Sequence, residues 1–129
     1  MRKIAVIILA ALMATCTPPA GQGADTLLRQ IDSLYAAKAY QQTLDSIESF
    51  RLRFPKNVEG RSHALEVWQK ASLDMTRQQV GLTDSALQAT GRQLEMARSH
   101  YDRNMLSVKR DSLQARYDVL CAQVRYILM

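Results

Sequence analysis

Apolar residues repeated every seven positions constrain the fold of this 129-residue chain more than any other feature. Seven residues are close to two turns of an α-helix, so a series with this spacing marks one helix face. The last third of the chain contains two such series, Leu87–Leu94–Tyr101–Val108 and Leu106–Leu113–Leu120–Ile127. They are offset by two residues, about 200° around a helix, so a straight helix would bury opposite faces in its two halves.

This conflict predicts a break between the two series. Asp111 and Gln114, in the stretch DSLQ, resemble a capping box, and Asn104 and Ser107 are further residues that cap helices well. We therefore expect a turn within residues 103–111. The alternative is one long helix that contacts a different neighbour at each end.

Apolar residues three and four positions apart predict three earlier helices, at about 25–38, 41–54 and 58–79. Pro55 ends the second helix, and Asn57 caps the third. Gly81 and Thr83 are the predicted C-cap and the next N-cap. Glycine and proline are scarce, and no apolar–polar alternation typical of strands occurs. The predicted fold is all-α: four or five amphipathic helices in antiparallel hairpins, forming a bundle that ends in a helical hairpin or a long helix.

The chain begins with Arg2 and Lys3, followed by an unbroken apolar segment over residues 4–14. A helix of that length rises about 17 Å, whereas the hydrocarbon core of a bilayer is about 30 Å thick. The segment is therefore too short to span a membrane. It matches the apolar region of a secretory signal peptide.

The stretch MATC, which ends at Cys16, resembles a bacterial lipobox, although Thr15 stands where glycine, alanine or serine is usual. The resemblance implies that residues 1–15 are a lipoprotein signal peptide and that Cys16 carries the lipid. The alternative is an incidental cysteine within an ordinary cleaved signal. The predicted organisation is a signal at 1–15, a lipidated cysteine and flexible spacer at 16–24, and a helical domain at 25–129.

This organisation predicts a lipid-anchored protein of a bacterial cell envelope, with the outer membrane favoured over the inner membrane. The 17 basic and 12 acidic residues leave a small positive excess, and we expect no nucleic-acid partner in that compartment. Cys121 would then be the remaining cysteine. We expect it to pack as a small apolar residue near Leu120 and Val124, the alternative being an intermolecular disulfide.

The stretch AYQQTLDSIESFRLRFPKN, residues 39–57, resembles the second helix of a tetratricopeptide repeat, as found in outer-membrane assembly lipoproteins. Tyr40 and Pro55 match the aromatic and proline positions, whereas Thr43 and Phe50 occupy positions of small residues. Because about three repeats are needed for a stable solenoid, the resemblance implies a single repeat-like hairpin at the front of the bundle. The tail, residues 110–127, is similar to the ends of small helical lipoproteins from Gram-negative gut anaerobes.

The chain carries no sequence motif of a serine hydrolase, zinc peptidase or phosphate-binding loop, and we predict no catalytic residue, metal or cofactor. Glu59, His63 and Glu66 share one predicted helix face, which suits either a metal or, as we favour, a solvated face with an ion pair from Glu66 to Lys70. His100 and Cys121 would form a nucleophilic pair only if the fold brought them together.

These observations predict a membrane-tethered scaffold or accessory subunit that binds an envelope protein through helical surfaces. Trp68, Tyr40 and Arg110 are the candidate partner-binding residues, although a single tryptophan on an apolar helix face is more often part of a core. One alternative is a pocket-containing envelope hydrolase or a protein that binds lipid or glycan. A second alternative is a coiled-coil homo-oligomer that uses the two leucine series.

Overall fold

The computed structural model describes residues 20–129, which form four helices and no strand. The helices are α1 (Ala20–Ala36), α2 (Tyr40–Arg53), α3 (Val58–Met96) and α4 (His100–Leu128). Successive helices pack against each other and α1 also contacts α3, whereas α4 contacts only α3 among the described helices. The all-α prediction is therefore confirmed. The predicted signal peptide and Cys16 lie outside the described residues.

Helices α1, α2 and the first part of α3 enclose an apolar cluster that we call the front core. The side chains of Ile31, Ile47 and Phe50 are completely or almost completely buried there. The ring of Phe54 packs on Phe50 with 5.3 Å between centroids. The members of the front core are Ala24, Leu27, Ile31, Ile47, Phe50, Ala64 and Val67. Apolar side chains of the first three helices therefore converge on one cluster.

Helix α1 begins at Ala20, five residues before the predicted start at Asp25. Ala24 is already 1% exposed and packs in the front core, so apolar burial extends the helix beyond its best capping residue. The turn after α1 places Lys38 at φ 59°, a left-handed conformation that glycine usually adopts. The amide of Ala39 donates to the Leu34 carbonyl across this turn at 3.0 Å, and α2 starts immediately afterwards.

The boundary between α2 and α3 agrees with the sequence prediction. Helix α2 ends at Arg53, just before Pro55, and the Asn57 side chain accepts a hydrogen bond from the Gly60 amide at 2.9 Å. Gly60 is buried against Phe50, and a Cβ at Gly60 would lie 2.5 Å from the Phe50 ring. Glycine is therefore required sterically at this crossing of α2 and α3.

The resemblance of residues 39–57 to a tetratricopeptide helix stays a prediction. Thr43 and Phe50, the two residues that depart from the small-residue pattern, are both fully buried. The Thr43 hydroxyl donates to the Ala39 carbonyl at 2.8 Å, which satisfies its polar group inside the helix. Phe50 therefore gives the front core a larger side chain than the repeat pattern has at that position.

Helix α3 is continuous over 39 residues, a length of about 58 Å. The predicted caps at Gly81 and Thr83 are therefore wrong. Gly81 is an exposed helical residue, and Thr83 is 5% exposed within the helix. A glycine inside a helix costs only about 1 kcal/mol, which packing against α4 along this part of α3 outweighs.

The turn between α3 and α4 comprises residues 97–99, so the predicted break exists but its predicted position within residues 103–111 is wrong. Ser99 is the true cap: its Oγ accepts from the Asp102 amide at 3.0 Å and donates to the Asp102 carboxylate at 2.6 Å. Asp111 and Gln114 lie inside α4, where Gln114 donates to the Asp118 side chain. The spacing Ser-x-x-Asp at residues 99–102 was the capping signal that marked this helix start.

Helix α4 runs back along α3 from the turn to about Gln69 and forms a hairpin with it. The Gln69 side chain donates to the Ile127 carbonyl at 3.1 Å, which places the end of α4 beside the middle of the chain. The α4 series Leu106, Leu113, Leu120 and Ile127 faces α3 and is buried or half-buried. Its counterpart on α3 is a seven-residue series of buried threonines, Thr76, Thr83 and Thr90. We call this contact the hairpin seam.

Candidate binding surface

The outer face of α4, opposite the hairpin seam, carries an apolar stripe over the whole helix. Its members alternate by four and three residues, and each of them is exposed: Tyr101, Met105, Val108, Ser112, Ala115, Val119, Ala122, Tyr126 and Met129. The exposed fraction of the large side chains ranges from 55% at Met105 to 98% at Met129. We call these residues the outer stripe.

The spacing of the outer stripe is that of a helix that packs along another helix. From Tyr101 to Met129 it extends about 42 Å at 1.5 Å per residue. Tyr101 and Val108 continue the seven-residue series of Leu87 and Leu94 in the sequence, but those leucines belong to α3 and are half-buried. The alternation of four and three residues from 101 to 129 was the signal that would have identified the stripe.

Charged residues of opposite sign border the middle of the outer stripe on its two sides, whereas towards its ends Asp102 and Arg125 reverse the sign on each edge. Lys109 and Arg116 each follow a stripe residue, whereas Asp111 and Asp118 each precede one, so the two pairs lie on opposite edges. All four are exposed. Asp111 is 3.0 Å from the guanidinium of its neighbour Arg110, a surface pair of the kind that contributes little to stability.

Open grooves adjoin both ends of the outer stripe. At the hairpin tip, a groove of about 480 Å³ is lined by Met96, Met105 and Leu106 among others. At the other end of α4, a groove of about 410 Å³ is lined by Leu65, Trp68, Gln69, Tyr126, Ile127 and Met129. Apolar side chains of α3 therefore widen the exposed surface at each end.

The three candidate partner-binding residues occupy different places. Trp68 is half-buried, packs against the front core and also lines the groove beside Tyr126, so it touches both the core and the exposed surface. Tyr40 is the first residue of α2, with its ring 6.1 Å from that of Tyr35. Arg110 is exposed on α4, about 27 Å from Trp68 along the hairpin by helical rise. Their role in binding stays a prediction.

The helix face with Glu59, His63 and Glu66 makes ordinary polar contacts. His63 Nε2 lies 2.7 Å from Asp32 Oδ1 on α1, and the Lys70 ammonium donates to Glu66 at 2.7 Å. This bond and the positive charge of Lys70 lower the pKa of the Glu66 carboxyl from its ordinary value. The predicted ion pair is thus confirmed. Within residues 20–129, no group of three histidine, cysteine, aspartate or glutamate side chains could hold a metal ion.

Cys121 is half-buried and lines a small groove with Val80 and Val124. The Cys121 thiol, one turn after Tyr117, raises the pKa of the Tyr117 hydroxyl above its ordinary value. Cys121 therefore packs beside Val124 as predicted. His100 is on the same helix, about 32 Å away by helical rise, so the two residues do not form a nucleophilic pair within one chain.

Comparisons with protein-family models, with curated proteins and with solved structures found no match to this chain. Within the described residues, none of the helices combines the length and the apolar character that a membrane span requires.

Proposed function

We propose that this chain is a lipid-anchored scaffold or accessory subunit of a bacterial cell envelope, and that it acts by binding protein rather than by catalysis. The outer stripe is the observation that carries the proposal. An exposed apolar strip with the spacing of helix packing suits the face of another helix, and contiguous exposed apolar patches on soluble domains are typical of interaction sites. The charged residues along its two edges would set the orientation of the bound helix.

The sequence of the N-terminus supports the anchor. A basic start, an apolar segment at residues 4–14 and the stretch MATC together resemble a lipoprotein signal that makes Cys16 the attachment point. Each methylene buried in the membrane contributes about 0.8 kcal/mol, so two or three acyl chains hold a protein almost permanently. We propose the outer membrane in preference to the inner membrane. Such a tether would restrict the helical domain to partners near the membrane surface.

The anchor is tested with two matched serine substitutions in the full chain. Cells that express the wild type, Cys16→Ser or Cys121→Ser are labelled with a clickable fatty acid, and their membranes are separated from soluble protein. We expect label and membrane association in the wild type and in Cys121→Ser, and loss of both, or failure of processing, in Cys16→Ser. Label that persists in Cys16→Ser would contradict the anchor.

The binding surface is tested by photo-crosslinking in intact cells. A photoreactive amino acid replaces Val108 on the outer stripe, and in the control it replaces Leu52, a somewhat more exposed apolar residue on α2. We expect a discrete protein adduct from position 108 and a much weaker one from position 52. Equal labelling from both positions would contradict a specific role for the outer stripe.

A further inference from the structure

We propose that the occupant of the outer stripe is a second copy of this chain, with the two α4 helices paired in parallel. The inference names the partner of the binding surface proposed above, and it therefore rests on that proposal. It also differs from the second alternative given by the sequence, a homo-oligomer on the two leucine series, because the series Leu106, Leu113, Leu120 and Ile127 is occupied by α3 within the same chain. A different face of α4 remains for a second helix.

The outer stripe is self-complementary when two copies run in parallel. Each stripe residue then faces the same residue of the second copy, as in a two-stranded coiled coil. The middle of the stripe has small side chains at Ser112, Ala115 and Ala122, with Val119 among them, and larger side chains follow towards both ends. Two α4 helices can therefore approach closely at the centre while Tyr101 and Tyr126 cover the ends of the contact.

The charged residues at the edges of the outer stripe favour the parallel arrangement of the two α4 helices over the antiparallel one. In a parallel pair, residues at the edges of the contact interact across the two helices. A residue that directly precedes a stripe position, as Asp111 precedes Ser112, faces the residue of the second helix whose number is five higher. Asp111 then faces Arg116 of the other copy, and the symmetry makes this attraction occur twice. By the same rule, Asp118 faces Gln123, so no pair of like charges arises along the contact.

The antiparallel arrangement with the greatest overlap has the opposite charge pattern. It pairs Val108 with Val119 of the other copy and consequently brings Asp111 near Asp118 and Lys109 near Arg116. Each of these like-charge contacts occurs twice and opposes pairing. A negatively charged membrane is a weaker candidate, because Asp111 and Asp118 border the stripe as well as Lys109 and Arg116, whereas helices that lie on such membranes carry predominantly basic flanks.

Disulfide crosslinking of the full chain in cells tests the arrangement directly. In a Cys121→Ser background, Ala122→Cys introduces a thiol on the outer stripe and Ala37→Cys introduces one at an exposed site in the α1–α2 turn. Parallel pairing places the two thiols introduced by Ala122→Cys together, whereas the antiparallel register separates them by about 25 Å. We expect a disulfide-linked dimer as the main product of Ala122→Cys under mild oxidation. The Ala37→Cys control should stay at background.

Charge reversal tests the orientation independently. Asp111→Arg should weaken dimerisation roughly tenfold in the parallel arrangement, because two attractions become two repulsions. Arg116→Asp should weaken it similarly, and the double variant Asp111→Arg/Arg116→Asp should restore it. In the antiparallel register, Asp111→Arg would instead strengthen pairing with Asp118. Stronger dimers in Asp111→Arg, or a double variant that stays monomeric, would overturn parallel pairing.

The photo-crosslink from position 108 separates this inference from the function on which it rests. An adduct with the mass of two copies supports self-pairing. An adduct with a different protein overturns self-pairing and leaves the binding surface standing. Absence of any adduct overturns both the binding surface and self-pairing. Both are also overturned if the protein is a monomer and its α4 is protected from hydrogen exchange only when anionic vesicles are present.

Discussion

The front core and the hairpin seam bury different kinds of side chain, although one helix, α3, contributes to both. In the front core, three helices surround large apolar groups, with Phe50 and Ile31 fully buried. In the hairpin seam, only two of the described helices meet, and the most buried residues are Leu120 and the series Thr76, Thr83 and Thr90. Three packed helices leave a space between them that large side chains fill. Two helices contact each other only along a line, so small residues suffice on one side of the hairpin seam.

Threonine suits the hairpin seam because it can satisfy its own hydroxyl. Thr76 donates to the Ser72 carbonyl at 2.7 Å, and Thr90 donates to the Ala86 carbonyl at 2.8 Å. These bonds leave the methyl groups to pack against α4.

The narrow hairpin seam has a second consequence: it covers only one face of α4, and the outer stripe remains exposed. Substitutions in both regions test this contrast.

Phe50→Ala should destabilise the protein more than any other single truncation, by about 3–5 kcal/mol, because it empties the centre of the front core. Chemical denaturation followed by circular dichroism would measure the loss in unfolding free energy. A loss below about 1 kcal/mol would mean that the three front helices do not depend on this cluster.

Leu120→Ala should cost about 2–3 kcal/mol, towards the lower end for a buried leucine, because a contact between two helices can close over the lost volume. Since α4 contacts only α3 among the described helices, the effect should be local. Hydrogen exchange at one fixed protein concentration should accelerate in α4 and leave α1 and α2 almost unchanged. Equal acceleration in both regions would contradict their independence.

Gly60→Ala should destabilise by about 1–3 kcal/mol, because the new Cβ would lie 2.5 Å from the Phe50 ring and the crossing of α2 and α3 would have to open. The matched control is Gly81→Ala, where no atom lies within 4 Å of the added group. This second substitution should stabilise α3 by about 0.5–1 kcal/mol through helix propensity. Thermal denaturation would show shifts of opposite sign, and shifts of the same sign would contradict the difference in packing.

Tyr35→Phe should have the smallest effect, about 0.5–1 kcal/mol at neutral pH, because it removes the 2.8 Å hydrogen bond from the Tyr35 hydroxyl to Asp74. This bond, together with burial and the negative charge of Asp74, raises the pKa of Tyr35 above its ordinary value of 10.0. Its contribution is therefore complete below pH 10.0 and is lost as the pH rises through the higher pKa of the folded state.

Denaturation at several pH values checks whether the contribution of this hydrogen bond to stability falls as the pH rises. The stability difference between the wild type and Tyr35→Phe should be constant at neutral pH and should shrink above pH 10.0. A difference that grows with pH would mean that Tyr35 is not the donor to Asp74. The result bears on the attachment of α1 to the middle of α3, since Asp74 lies beyond the front core on that helix.

The sequence predicted local features well where a single residue type imposes a backbone geometry. Pro55 and Asn57 correctly located the end of α2 and the start of α3, because each acts through its own ring or side chain. Gly81 and the pair Asp111 and Gln114 were misleading, because glycine and capping residues are also tolerated inside a helix that has a packing partner. The true cap at Ser99 makes the same local bonds that the sequence pattern describes.

Local patterns in the amino-acid sequence were enough to indicate that the chain is helical, where α2 and α3 join, and that the last third of the chain contains a break between helices. Helix formation and capping depend on neighbouring residues, so one sequence contains that information. The tertiary structure alone decided that α3 continues to Met96, that α4 covers the threonine series, and that the outer stripe stays exposed. Which of two apolar faces is buried depends on the partner helix that reaches it, and periodicity within one helix is the same for both faces.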